Sequence, residues 1–273
     1  MIYAAVRIAI LTALVVVSTS LASPAATTGT LQRLYNLDYG NGIISVSQIV
    51  NGRADIVTQF KPSPSGARGI AVDRQGRIYT AVTAPNAKPC SACVEVFSPN
   101  GTLLAQLAAP ILKGAPGAPT LTDISLDLHG NVYVTDNGQQ AVYFFTPVGK
   151  TWSGPTIVVQ NSFDSSTLLA GPYGDNIFIS GGCGFQSVRT YVRFKSSYHP
   201  GSCFPISDIA LIGGAADDEG AVLTPVDGGF PFVSITSANG NESGFQIPDS
   251  KGNISGVAVT LGGAIAFVAD HYA

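Results

Sequence analysis

The chain has 273 residues, with 14 Lys and Arg against 17 Asp and Glu; only 11% of it is charged while 45% is apolar. That balance excludes a disordered chain, which needs high charge and low hydrophobicity. The absence of any basic run excludes nucleic-acid binding through the phosphates.

In chain order, residues 1–22 read as a secretory signal. Arg7 gives the charged start, Ile8 to Val17 is apolar apart from Thr12, and Ser20 and Ala22 are the small residues of a cleavage site. The apolar core falls short of the about 20 residues a spanning helix needs. No later stretch spans a bilayer either, and no Cys follows to take a lipid. The expectation is a secreted or periplasmic protein without a membrane span, with residues 23–273 as a single domain.

A repeat then emerges. Gly69 to Val82 aligns without a gap with Asp123 to Asp136. Each is a short apolar strand, an Asp-x-x-Gly turn, and a second strand carrying Tyr79 or Tyr133. Asp bonds its own downstream backbone and Gly takes the positive φ of a tight reversal. Weaker copies supply further aromatics at Tyr35, Phe178, Phe232 and Phe267. The six markers are 44, 54, 45, 54 and 35 residues apart, around the 40–50 residues of a four-stranded propeller blade.

First strands are expected near Ile70, Ile124, Leu168, Val222 and Val257, and none is evident before Tyr35. Third strands are expected at Ile43–Ile49, Val94–Phe97, Ala141–Phe145 and Val188–Phe194. Fourth strands are expected at Ile56–Phe60, Leu103–Leu107 and Thr156–Val159. No segment of helical length carries apolar residues at helical spacing outside the signal. The fold expected is an all-β propeller of four-stranded blades. Six blades follow from the marker count, five from the count of first strands. The incomplete ends suggest a ring closed by strands from both termini in one blade.

The run Arg68 to Tyr79, followed by Val94 to Gly101, resembles an NHL repeat: apolar-Asp-x-x-Gly-x-apolar-Tyr, then Phe-x-Pro-x-Gly. Asp127 to Pro147 is a second copy, and the other blades match loosely. NHL-like propellers include binding scaffolds, gluconolactonase-like hydrolases and streptogramin-lyase-like enzymes, so the resemblance implies a fold and not one chemistry.

Four cysteines follow the signal: Cys90, Cys93, Cys183 and Cys203. In an oxidising compartment an even count reads as disulfides, and proximity pairs Cys90 with Cys93 and Cys183 with Cys203. A redox pair or half of a zinc site is the alternative for Cys90-Ser91-Ala92-Cys93, but the pair precedes a strand, not a helix.

The rim expected to bind a ligand comprises Arg68, Asp123, His199 and the acidic run Asp217-Asp218-Glu219. His199 is read as a loop residue. The acidic run is read as a loop entering a first strand, where oxygen ligands could hold Ca²⁺. Asp73, Asp127 and Asp227 recur at the ends of first strands, which marks turn geometry and not a site. The His and Glu cluster that the resemblance implies for lyase-like enzymes has no matching pattern here, and no nucleophile elbow occurs. The first function expected is a non-enzymatic scaffold for an unknown protein or small-molecule ligand, with no cofactor. The alternative is a metal-dependent hydrolase or lyase of the gluconolactonase-like kind.

Overall fold

A computed structural model describes residues 12–18, 32–38, 41–50, 53–62, 67–83, 90–160, 168–170, 174–180, 187–205, 215–216, 222–226, 232–236, 241–246, 254–259 and 266–270. These residues hold no helix; they form antiparallel sheets, five of four strands and one of two. The first sheet is β1 (Thr12–Ser18), β2 (Gln32–Asp38), β3 (Ile43–Val50) and β4 (Arg53–Phe60). The second is β5 (Ala67–Val72), β6 (Ile78–Thr83), β7 (Ala92–Phe97) and β8 (Leu103–Ala108). The third is β9 (Leu121–Leu126), β10 (Val132–Asp136), β11 (Ala141–Val148) and β12 (Thr151–Gln160). The fourth is β13 (Leu168–Ala170), β14 (Asn176–Ser180), β15 (Ser187–Phe194) and β16 (Ser197–Pro205). The fifth is β17 (Ala215–Ala216), β18 (Val222–Val226), β19 (Phe232–Thr236) and β20 (Glu242–Gln246), and the last pair is β21 (Ile254–Val259) with β22 (Ala266–Asp270).

Within each sheet the strands neighbour one another in chain order. The first strands meet across sheets: β5 lies against β1 and β9, β13 against β9 and β17, and β21 against β17 and β1. The core sits between sheets. Tyr35, Leu37, Ile44 and Val46 pack on Ile70, Ile78, Val82 and Phe97. The opposite face of the second sheet, with Tyr79, Val94 and Val96, packs on Ile124, Val132, Val134 and Tyr143. Second strands are therefore buried on both faces: β6 and β10 are buried along almost their whole length, with no exposed alternate residues. Each large side chain so buried stabilises the fold by roughly 1.5–3 kcal/mol, and no sheet could bury both faces alone.

The repeated residues are explained by one turn design. Asp73 Oδ1 accepts from the amides of Gln75 and Arg77 at 2.9 and 2.8 Å, and Oδ2 accepts from the Tyr79 hydroxyl at 3.0 Å. Asp127 Oδ1 accepts from the amides of His129 and Asn131, both at 2.9 Å, and Oδ2 from the Tyr133 hydroxyl at 3.2 Å. Gly76 and Gly130 take φ of +76° and +78° to close these turns, and each faces the proline of its own sheet's outer hairpin, Pro99 or Pro147. The marker tyrosine thus ties the second strand to the turn before it. Burial raises the Tyr79 and Tyr133 hydroxyls well above the ordinary tyrosine range.

Several expectations are corrected. A first strand does precede Tyr35: β1 pairs with β2, Val15 opposite Tyr35, inside the segment read as an export signal. Val222–Val226 is a second strand, not a first, because β17 pairs outside it; Phe232 consequently stands in a third strand. The third and fourth strands of the fifth sheet are present as β19 and β20. Each described sheet uses consecutive strands, so none is shared between the two ends of the chain; β21 lies beside β1 instead. Cys90 and Cys93 are both buried thiols and not a cystine. Ala92 and Cys93 are already committed to an extended ladder opposite Thr83 and Val82, and a disulfide across three residues would have to bend that backbone.

Candidate functional site: the inner rim

Three of the first strands carry the same irregularity near their starts. In β5, Ala67 pairs with Val82 and Gly69 with Ala81, leaving Arg68 as an extra residue. In β9, Leu121 pairs with Asp136 and Asp123 with Thr135, leaving Thr122. In β21, Ile254 pairs with Asp270 and Gly256 with Ala269, leaving Ser255. A bulge releases one residue from the ladder and re-aims its side chain. In register, Arg68, Thr122 and Ser255 hold equivalent positions in β5, β9 and β21.

Arg68 and Asp123, two of the sequence-predicted rim residues, are brought together. A Cβ on Gly69 would lie 2.6 Å from Asp123 Oδ1, 2.8 Å from the Ile124 amide nitrogen and 2.9 Å from Asp123 Cα. Only glycine allows β5 and β9 this approach. Arg68 is exposed and Asp123 half-buried, its Oδ1 accepting from the Ile124 amide at 2.8 Å. The contact is clamped above by Thr83, whose hydroxyl accepts from the Leu121 amide at 2.7 Å and donates to the Leu121 carbonyl at 3.3 Å. Thr122 and Thr135 hydroxyls are 3.0 Å apart.

Beside this rim stands the segment Ala109 to Thr120, which joins β8 to β9. Gln139 holds it: Oε1 accepts from the Leu112 amide at 2.6 Å, and Nε2 donates to the Pro110 carbonyl at 2.7 Å. Asp136 accepts from the Thr120 amide at 2.8 Å and from the Tyr143 hydroxyl at 2.8 Å. Gln139, Thr122 and Ser255 stand outside the rim expected from the sequence. The gap-free alignment of the two repeats held the one available signal, since it sets Thr122 opposite Arg68.

The other predicted residues stand elsewhere. His199 is in β16, opposite Val192, not in a loop; it is exposed, with its ring edge-on to Phe194 at 6.3 Å. Three strand spacings separate β16 from β13, roughly 14 Å. Asp217, Asp218 and Glu219 lie outside the described residues. In the chain they fall between β17 and β18, the connection that in the second and third sheets is the Asp-x-x-Gly turn, at the end of the first strand away from the bulge. Cys183 is also outside the described residues, and Cys203 lies in β16 with its Sγ 3.3 Å from Arg189 Nε. Among the described residues no three His, Cys, Asp or Glu side chains gather as metal ligands.

No family model and no curated protein matches this chain. Among solved structures, a gluconolactonase from Xanthomonas campestris superposes with a TM-score of 0.65 at 14% identity, covering 96% of this chain and 84% of that one. A catalytically inactive virginiamycin B lyase from Staphylococcus aureus, solved with quinupristin, gives 0.53 at 14% identity, covering 91% and 75%. The fold is a β-propeller. A functionally unknown protein from Desulfotomaculum acetoxidans gives 0.55 at 8% identity; this propeller spans 65% of that chain's length. At these identities the likeness is one of fold.

The metal-dependent alternative expects a divalent ion held by several oxygen or imidazole ligands. The described donors do not fit one. Among the residues whose side chains are described, the β5–β9 rim holds one carboxylate, Asp123, with Arg68 on the adjoining strand. Asp73, Asp127 and Asp136 are each taken up by amides and a tyrosine hydroxyl. Glu95 is fully buried in β7, accepting from Gln106 Nε2 at 2.8 Å.

Proposed function

We propose that this chain is an NHL-like, six-bladed propeller that binds a ligand at the mouth of its central channel, on the rim formed by the first-strand bulges. The observation that carries this reading is the bulge shared by β5 and β9, which turns Arg68 and Thr122 out of their ladders beside Asp123. A cation, a carboxylate and hydroxyls arranged so suit a small polar or anionic ligand, or a polar side chain of a protein partner. The recurring aspartates support the turns and are not free for chemistry. Adjacency of β21 to β1 supports closure of the ring at six blades.

Two further readings belong to the same proposal. Export would remove residues 1–22, and β1 with them, leaving the first blade three-stranded; residue-level mass analysis of the mature chain decides this. A Cys183–Cys203 disulfide fits such a compartment.

The second functional reading, a metal-dependent hydrolase or lyase, is favoured by the gluconolactonase likeness and by the acidic run Asp217 to Glu219, which could take Ca²⁺. One experiment separates the two. Purified protein is analysed for bound divalent metal and assayed for hydrolysis of D-glucono-1,5-lactone with Ca²⁺, Mg²⁺ or Zn²⁺. It is also screened by thermal shift against carboxylates and sugars. Ligands that stabilise the wild type but not Arg68→Ala support the binding reading. Bound metal with metal-dependent turnover would replace it with the second.

A further inference from the structure

We propose that the groove between the first and second blades is a binding site for a small aromatic carboxylate, separate from the channel mouth. The argument comes from comparing successive blade interfaces. In the second blade, Tyr79 receives the edge of Trp152 from β12 of the next blade, with centroids 6.0 Å apart at 81°. The Arg77 guanidinium lies 5.2 Å over that indole. In the third blade, Tyr133 receives Tyr198 from β16 of the next blade, 6.2 Å away at 88°. Each marker tyrosine is thus covered by a ring from the fourth strand of the following blade.

Tyr35 is the equivalent residue of the first blade, and the strand that should cover it is β8. That strand reads Leu103-Leu104-Ala105-Gln106-Leu107-Ala108 and has no aromatic. Its hairpin is also shorter. The turn after β7 closes tightly, with the Ser98 amide donating to the Thr102 carbonyl at 2.8 Å. The β11–β12 hairpin instead continues its pairing from Phe144 opposite Thr156 out to Val148 opposite Thr151, carrying Trp152 inward. Tyr35 is nonetheless buried, in one cluster with Phe97 and Phe60; what the shorter hairpin leaves open is the space beside Arg33, a groove of about 490 Å³ lined by Arg33, Val57, Thr58, Pro99 and Asn100 among others. That volume lies in the range of small-ligand pockets.

The lining suits the missing ring. Arg33 precedes Tyr35 by two residues, as Arg77 precedes Tyr79. Arg77 is paired with Asp73, whereas no described carboxylate pairs with Arg33. A planar guanidinium both stacks on aromatic faces and grips a carboxylate in a fork. Val57 and Pro99 supply apolar walls above the buried Val46, and Thr58 and Asn100 a polar edge. Val57 is itself a bulge residue, between Thr58 opposite Val46 and Ile56 opposite Ser47, so its side chain is released from the ladder.

The test uses indole-3-acetate as probe, by calorimetry and by NMR shifts of the full chain. Expected is a Kd of about 1 mM or tighter, from the usual efficiency of small ligands. Indole without the carboxylate should bind at least about tenfold more weakly, as should Arg33→Ala. Val57→Trp places a ring in the slot; it should abolish binding without lowering Tm, since Val57 is half-exposed at 51%. Arg68→Ala should leave binding unchanged, which keeps this site distinct from the channel mouth. No binding at a probe concentration of several times 1 mM, or binding untouched by Val57→Trp in a folded variant, would overturn the proposal.

Discussion

Gly69→Ala tests whether the close approach of β5 and β9 shapes the channel mouth. Gly69 pairs with Ala81 and does not take a positive φ, so the substitution adds only a methyl group to an acceptable backbone. That methyl would stand 2.6 Å from Asp123 Oδ1, 2.8 Å from the Ile124 nitrogen and 2.9 Å from Asp123 Cα. A carboxylate could rotate away, but the last two contacts are backbone, so the strands must part by about half an ångström or more. Over-packing of this kind costs about 1–3 kcal/mol, against which alanine's smaller unfolded-state entropy returns about 0.4–1 kcal/mol. A net loss of about 1–2 kcal/mol should lower Tm by roughly 2–6 °C for a chain of this size. Trp152, the one tryptophan, lies at the second–third blade interface and reports unfolding by fluorescence in urea. Gly114→Ala is the control, since nothing lies within 4 Å of a Cβ there and only its φ of +81° opposes the change. A Gly69→Ala chain as stable as wild type would refute the reasoning, and with it the steric role assigned to glycine at the mouth.

Three other outcomes are expected. Tyr133→Phe removes a hydroxyl that donates to Asp127 at 3.2 Å and meets the Tyr198 hydroxyl at 2.9 Å; loss of a buried bond to a carboxylate should cost about 1.5–3 kcal/mol, read from urea midpoints. Burial raises the hydroxyls of Tyr79, Tyr133 and Tyr143 above the ordinary value near 10. Because the folded values are the higher ones, their contribution is complete below pH 10 and falls as pH rises toward them, by about 1.4 kcal/mol per pH unit for each tyrosine; melting curves from pH 8 to 12 with tyrosinate absorbance check this, and a flat profile contradicts it. Finally, Cys90 and Cys93 should resist a thiol reagent in the native chain and both react in denaturant without reductant, because burial lifts the Cys93 thiol and hides its neighbour; absence of both thiols after unfolding would show a cystine.

The sequence by itself determined the repeat and its turn chemistry. Asp73, Gly76 and Tyr79, and their counterparts Asp127, Gly130 and Tyr133, act within ten residues of one another, so their spacing is readable without the fold. It misassigned Val222 and Phe232 because an apolar strand looks the same in second and third place, and β17 is too short to announce itself. It placed His199 in a loop because Pro200 and Gly201 suggest a turn, although β16 runs on through them with a register shift at Gly201 and Ser202. Only the tertiary structure decided that β5 and β9 approach so closely at Gly69 that Asp123 lies against it, that Gln139 pins a distant loop, and that Arg33 faces a groove where Arg77 faces a tryptophan. Those facts depend on how neighbouring blades stack, and contacts between blades leave no local period in the chain.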